Sequence, residues 1–247
     1  SLIVTNAHAI VGGEEPELSQ RDNDFFFMES HSYTKTAQMV ADLCARRLPG
    51  TYGFSPLWDI QVLVPSRKGE LGTMELNRRL QETLNPPSPD KAEFVFNGIT
   101  YREGDKVMQI RNNYDIPWTR GEESGAGIFN GDIGIIRMID RGSKTMAIEF
   151  DGRTAYYTFD MTEELELAYA VTVHKSQGSE FEAIILPVMG GYDKLYFRNL
   201  LYTAVTRAKK ILILVGQRGR IQFMVQNDKK MLRYTGLKTM LRESIFG

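Results

Sequence analysis

Two unbroken apolar runs constrain this chain most: residues 182–188 (EAIILPV) and 211–216 (ILILVG). Neither alternates with polar positions, so each reads as a fully buried strand. Between them, residues 193–209 carry a helical pattern. Leu200, Leu201, Ala204, Val205 and Ala208 can form one buried face there. Strand, helix, strand is the grammar of an α/β domain.

The same style occurs upstream. Residues 34–48 place Met39, Val40, Leu43, Cys44 and Leu48 at three- and four-residue spacings, and Pro49-Gly50 is expected to end that helix. Residues 60–64 (IQVLV) form a short buried strand ending at Pro65, and residues 72–84 return to helical periodicity. Asn85-Pro86-Pro87-Ser88-Pro89 then breaks the chain.

Residues 97–164 differ in character. Residues 105–111, 132–139, 145–150 and 153–159 are four short candidate strands, with turns at Asn130-Gly131-Asp132 and Asp151-Gly152-Arg153 and no helix between them. A small barrel or sandwich follows. Residues 114–130 are glycine-rich and are expected to form a mobile loop, whose Tyr114 and Trp118 either stack on bases or pack locally. The chain thus reads as an α/β domain, 1–96 and 165–247, interrupted by an all-β module at 97–164. One or two helices are expected after residue 216.

Composition excludes several classes. The formal net charge is -1, so any nucleic-acid contact must come from a local patch. One cysteine, Cys44, cannot make an internal disulfide, and with three histidines it rules out a zinc finger or ribbon. That fits a reducing, cytoplasmic compartment. No apolar run reaches the length of a membrane span.

Two segments carry candidate chemistry. In residues 168–188, Thr172, His174, Lys175, Ser176, Gln177 and Gly178 bunch polar groups just before a buried strand. Gly178 and Ser179 let backbone N–H groups approach an anion, although a polar surface loop has the same composition. In residues 198–216, Arg207 sits near the end of a helix. By itself it suits a helix-dipole partner or a solvated side chain as well as a cation for a transferring phosphoryl group.

In order and spacing, VTVHKSQGSEFEAIILP and LLYTAVTRAKKILILVG resemble motifs V and VI of superfamily 1 helicases. The wording is similar to the RecD-like branch, SF1B, which includes exodeoxyribonuclease V alpha subunits. Residues 3–18, 60–81 (the motif IV region) and 104–115 resemble that family too, so the likeness covers nearly the whole chain. One departure is Ala9, where relatives carry a basic residue after Asn-Ala-His.

The resemblance implies a RecA-like, P-loop NTPase-type parallel-sheet domain without its own P-loop, into which a small SH3-like β-barrel is inserted. It implies that Arg207 is the arginine finger, with Arg67, Gln177, Gly178 and Glu180 as further ATP contacts. Thr172 and His174 are implied as single-stranded DNA contacts, together with Asn6, His8, Ser66 and Lys68, fixing register on phosphates. Ordinary readings stand beside these: a solvated basic pair for Arg67-Lys68, a structural histidine for His174 and a core position for Tyr202. The sequence holds no G-x-x-x-x-G-K-[ST] and no Asp-Glu pair. Both are expected in a first RecA-like domain upstream of Ser1. The expectation is therefore the C-terminal motor portion of an ATP-dependent DNA helicase, probable direction 5′ to 3′. ATP and Mg2+ would be used by the complete protein and held by neither segment alone, and the isolated chain would be inactive as an ATPase. Its expected partners are single-stranded DNA, a duplex junction and the first motor domain, with no membrane. A non-enzymatic module binding single strands or a partner protein is the alternative. A nuclease is disfavoured, because no Asp/Glu/His/Lys set has metal-site spacing.

Overall fold

The computed structural model describes residues 1–228, so the remainder of the expected helical tail, 229–247, lies outside the described residues. Five strands form one all-parallel sheet: β1 (Phe25–Glu29), β2 (Ile60–Val64), β12 (Ala170–Thr172), β13 (Phe181–Val188) and β14 (Ala208–Gly216). Their spatial order is β1-β14-β13-β2-β12.

Both faces are covered. Ile184, Leu186, Leu212 and Leu214 pack on one side under α1 (Leu2–Gly12), α5 (Arg198–Val205) and α6 (Arg218–Gln226). Their alternate neighbours Ala183, Ile185, Ile211 and Ile213 pack on the other under α2 (Tyr33–Asp42), α3 (Leu48–Tyr52) and α4 (Thr73–Leu84). Burial on two faces is why the central stretches of β13 and β14 are apolar on both faces, each large aliphatic side chain contributing ~1.5–3 kcal/mol, while Glu182, Lys209 and Lys210 fall at the strands' N-terminal ends.

Crossovers diverge between β2 and β13. The chain leaves β2 through α4 on one face, whereas it leaves β13 through α5 on the other. That is a topological switch point, and a crevice opens there at the C-terminal ends of the strands.

The second unit is all-β. Strands β5 (Lys106–Gln109), β6 (Asn113–Arg120), β7 (Glu123–Ile128), β8 (Ile133–Asp140), β9 (Thr145–Phe150), β10 (Arg153–Thr158) and β11 (Leu165–Leu167) form one antiparallel sheet, in the order β11-β5-β8-β9-β10-β6-β7. It curls over its own core of Ile116, Ile128, Ile136, Ile148, Phe150 and Tyr157. The hairpin β3 (Glu93–Phe96) and β4 (Ile99–Arg102) joins that core through Phe94, Phe96 and Tyr101. The insert therefore runs from Glu93 to Leu167, wider than the 97–164 read from turns.

Three expectations need correction. Residues 114–130 are not a mobile loop but mostly the β6–β7 hairpin. Gly125 is there for packing, since a Cβ on it would lie 2.5 Å from the Trp118 ring, whereas Gly121 has nothing within 4 Å and turns the hairpin at φ 57; Ile116 and Ile128 are buried. Pro49 does not stop the helix at residue 48. A π-helical turn over Leu43–Arg47 absorbs the register change, and the helix runs on to Tyr52. The helix expected over 193–209 is regular only over Arg198–Val205, because Ala208 already pairs with Phe181 in the sheet.

The two units meet around Asp105, which is fully buried. Its carboxylate accepts hydrogen bonds from Gln81 of α4 and Asn85 just after it, from Tyr169 entering β12 and from the Arg102 backbone, at 2.7–2.8 Å. Burial raises its carboxyl above the usual range despite these donors. Beside it, Lys106 is buried and forms no ion pair among the described residues, Asp59 acting on it only at longer range. Its Nζ donates to the Ile60 carbonyl at 3.1 Å and lies 5.7 Å from the Phe181 ring centroid. Burial pushes Lys106 down to about 7 and the neighbouring Cys44 thiol up to about 12.

Candidate functional site

In a parallel sheet, residues that precede strands gather at one end and residues that follow them gather at the other. The candidate residues divide accordingly.

At the N-terminal ends of β13 and β14 stand Gly178, Ser179, Glu180 and Arg207. The turn Ser176–Ser179 is closed by a Ser179 N–H to Ser176 carbonyl bond of 3.0 Å, with Gly178 left-handed at φ 86. Nothing lies within 4 Å of where a Gly178 Cβ would be, so backbone conformation alone calls for glycine. The Arg207 carbonyl accepts from Phe181 N–H at 2.9 Å, tying this turn to the start of β14.

Arg207 is half-buried. Its Nη1 donates to the Ser179 carbonyl at 3.3 Å and Nη2 to Thr206 Oγ1 at 3.4 Å, both long bonds. Its Nε is buried without a partner, and among the described residues no carboxylate pairs with it. The acids nearby are engaged elsewhere: Glu180 with Lys209 at 4.0 Å and Glu182 with Lys210 at 2.8 Å. The Lys210 hydrogen bond holds the Glu182 carboxyl below its usual range. What remains is an uncompensated cation beside a glycine turn, open to an anionic group. Gln177 is exposed at the entrance to the same turn.

At the C-terminal ends of β2 and β12 stand Ser66, Arg67, Lys68, Thr172 and His174. Arg67, expected as a further ATP contact, follows β2 whereas Arg207 precedes β14, and its guanidinium is held by Glu166 rather than next to Arg207 in any recorded contact among the described residues. Glu166 of β11 bridges Arg67 and Lys175, each at 2.7 Å, and so fastens the loop after β2 to the segment after β12. Thr172 is half-buried at the end of its strand; His174 is exposed, its ring 6.4 Å from the Phe197 ring and edge-on. Ser66 and Lys68 lie in one tight loop, where Ser66 Oγ accepts from the Lys68 N–H at 3.2 Å.

Two expected DNA contacts lie elsewhere. Asn6 is buried in α1, its amide spent on the Glu17 backbone: it donates to the carbonyl at 2.9 Å and accepts from the N–H at 2.8 Å. It is a structural clamp rather than a ligand. His8 is exposed on the same helix, outside the residues that form either end of the sheet. Tyr202 is half-buried against the core; Trp118 is packed in the hairpin, and Tyr114 is exposed and edge-on to Phe129.

Sequence reasoning missed Glu166, Asp105 and Lys106. Glu166 lies in an acidic stretch that looks like a solvated face. The signal for Asp105-Lys106 was a charged pair heading a strand, which has meaning only once its neighbours are known.

A RecA-like parallel sheet, a glycine turn and an arginine without a carboxylate at one end, polar loops at the other and an SH3-like insert together have the architecture of a helicase motor domain. Comparisons narrow the class. Residues 76–150 match the model of the ATP-dependent RecD-like DNA helicase SH3 domain, and residues 167–215 match the UvrD-like helicase C-terminal domain. The chain is 30% identical over 241 residues to the ATP-dependent RecD2 DNA helicase of Deinococcus radiodurans, covering 97% of this chain and 30% of that protein. It is 35% identical over 191 residues to an uncharacterised Methanocaldococcus jannaschii protein, covering 70% of this chain and 16% of that one. The RecBCD enzyme subunit RecD of Mycolicibacterium smegmatis is 26% identical, with 74% of this chain and 29% of the subunit covered. The chain thus spans less than a third of the length of these relatives. Its fold matches a Bacteroides Pif1 helicase, solved in complex with ADP-AlF3 and ssDNA, with a TM-score of 0.52 at 17% identity, covering 100% of this chain and 54% of that one. The chain belongs to the RecD-like, SF1B branch of the superfamily 1 helicases and corresponds to its C-terminal motor region. Among the described residues, no helix is long and apolar enough to cross a membrane.

Proposed function

We propose that this chain works as the second motor domain of an ATP-dependent DNA helicase acting in the cytoplasm. Its N-terminal sheet edge forms one wall of a nucleotide cleft, and its C-terminal edge forms part of a track for single-stranded DNA. The observation that carries the reading is Arg207: a half-buried guanidinium with a buried, unpartnered Nε and no carboxylate among the described residues. Arg153 and Arg220 also have a buried, unpartnered Nε, but each pairs with a carboxylate through another nitrogen, whereas Arg207 pairs with none among the described residues.

Facing a bound ATP with its Mg2+, Arg207 would stabilise charge developing on the γ-phosphoryl group. Gly178 and Ser179 offer backbone N–H groups to the same anion, with Gln177 and Glu180 at the margin. The other wall, with its phosphate-cradling loop and metal-holding acids, is assigned to another RecA-like domain. Relatives named for ATP-dependent DNA unwinding support this division. At the opposite edge, Thr172, His174, Ser66 and Lys68 suit phosphate oxygens, and Arg67 joins them through Glu166. Nucleotide and strand then sit at the two ends of the same strands, so a rotation of the domain on nucleotide binding moves the track.

The test is Arg207→Ala in a protein containing both motor domains. ATP turnover should fall by about 10³–10⁵-fold, with nucleotide affinity much less affected. Turnover within tenfold of wild type would overturn the role of Arg207. DNA-stimulated hydrolysis by the 247-residue chain alone would overturn the division of the cleft between two domains.

A further inference from the structure

The crevice at the topological switch point has a volume of about 480 Å³, within the range of small-molecule sites. Ser66 and Lys68 line it from the loop after β2, Gly190, Tyr192 and Tyr196 from the segment after β13, and Tyr33 from the start of α2. Neither loop could close on it with larger residues. A Cβ on Gly72 would lie 2.5 Å from the Arg67 and Lys68 carbonyl oxygens, and one on Gly190 would lie 2.9 Å from the Tyr33 hydroxyl. A Cβ on Gly191 would meet the Tyr196 ring at 3.0 Å.

The lining is aromatic and open. Tyr192 is 62% exposed and Tyr33 38%, so both rings present faces that the fold does not use. Tyr196 is buried behind them, with the Arg220 guanidinium 4.1 Å from its ring centroid. Charge at the rim favours an anion's neighbour. Lys68 has no carboxylate partner among the described residues, and Lys194 Nζ stands 5.8 Å from the Tyr192 ring centroid. Asp193 is already paired with Arg220 at 2.7 Å, leaving Glu70 as the acid on the lining. Exposed rings beside an unpaired lysine match the chemistry of one base and its phosphate.

We propose that this crevice receives a nucleobase of the single strand that crosses the C-terminal edge. The base stacks on Tyr192, and an adjoining phosphate meets Lys68. The inference rests on the reading of that edge as the strand track, and it adds a base-contacting site to a set of phosphate contacts. Recognition is by the π-face, so the site tolerates any sequence.

The experiment measures binding of the 247-residue chain to oligothymidylate, to an abasic oligomer of equal length and to thymidine monophosphate, all at one fixed salt concentration. Tyr192→Ala should weaken oligothymidylate binding by about 5- to 150-fold, as loss of one stacked base does. Tyr192→Phe should bind like wild type. Wild type should prefer oligothymidylate to the abasic oligomer, and Tyr192→Ala should narrow that preference. Unchanged binding and base preference in Tyr192→Ala, with weakening in Thr172→Val, would sink the crevice and leave the track standing. No oligonucleotide binding by wild type would sink both. Monophosphate that quenches Tyr192 and is not displaced by oligothymidylate would assign the crevice to a free nucleotide and overturn the strand-borne base.

Discussion

Replacing Lys106 with methionine tests how the insert is joined to the motor sheet. Lys106 is fully buried, with one hydrogen bond to the Ile60 carbonyl, the face of the Phe181 ring 5.7 Å away, and Cys44 and Asp59 as the titratable groups whose charge acts on it. Burial lowers its amine from an ordinary 10.5 to about 7. A group whose folded value lies below its unfolded value prefers to be neutral in the folded protein. Its contribution to stability is complete above about pH 10.5 and is lost as the pH falls to about 7. Across that window the unfolded chain holds one more proton, so stability rises with pH by up to ~1.4 kcal/mol per unit. From about pH 7 to about pH 9 the wild-type protein should gain ~2 kcal/mol that Lys106→Met does not. The assay is urea unfolding of both proteins at several pH values, comparing slopes of stability against pH. Slopes carry the test, because the offset also contains the lost Ile60 hydrogen bond and the relief of a buried charge. Parallel curves would refute a Lys106 that is buried and titrates near neutrality.

Two further substitutions probe the frame of the site. Asp105→Ala strands four donors from α4, β12 and the insert, and should cost at least ~3 kcal/mol in equilibrium denaturation, with Asp105→Asn milder; a loss under ~1 kcal/mol would show that the junction does not depend on this carboxylate. Gly216→Ala places a Cβ 2.0 Å from the Val188 carbonyl oxygen and should destabilise by more than ~3 kcal/mol, whereas Gly12→Ala, with nothing within 4 Å, should raise the melting temperature slightly.

The strands buried on both faces were legible because their burial leaves long stretches without polar alternation; β13 and β14 contain the apolar runs and begin earlier, at Phe181 and Ala208. The α/β frame with an all-β insert was likewise written in the change from unbroken runs to turn-punctuated strands. The β6–β7 hairpin was hidden. Gly125 looks like a loop residue until Trp118 is placed over it, a contact between strands that no local pattern carries. The π turn that rescues Pro49 was hidden in the same way. Of the candidate site, motif order singled out Arg207, Gly178, Thr172, His174 and Arg67. The end of the sheet at which each backbone stands was not legible: adjacency in a motif list says nothing about which end of a parallel strand a loop leaves. Asn6 was misread because a buried amide clamp and an exposed DNA contact use the same side chain.

The edge strand β1 has a consequence for how the chain is made. Among the described residues Phe25 to Glu29 pair only with Leu212 to Gly216, so this apolar strand emerges from the ribosome long before that partner exists. The insert closes its own sheet within residues 106–167 and can fold while the motor sheet waits unfinished. Synthesis therefore passes through a stage with a completed barrel tethered to an unpaired, aggregation-prone strand, the stage at which a chaperone has most to hold.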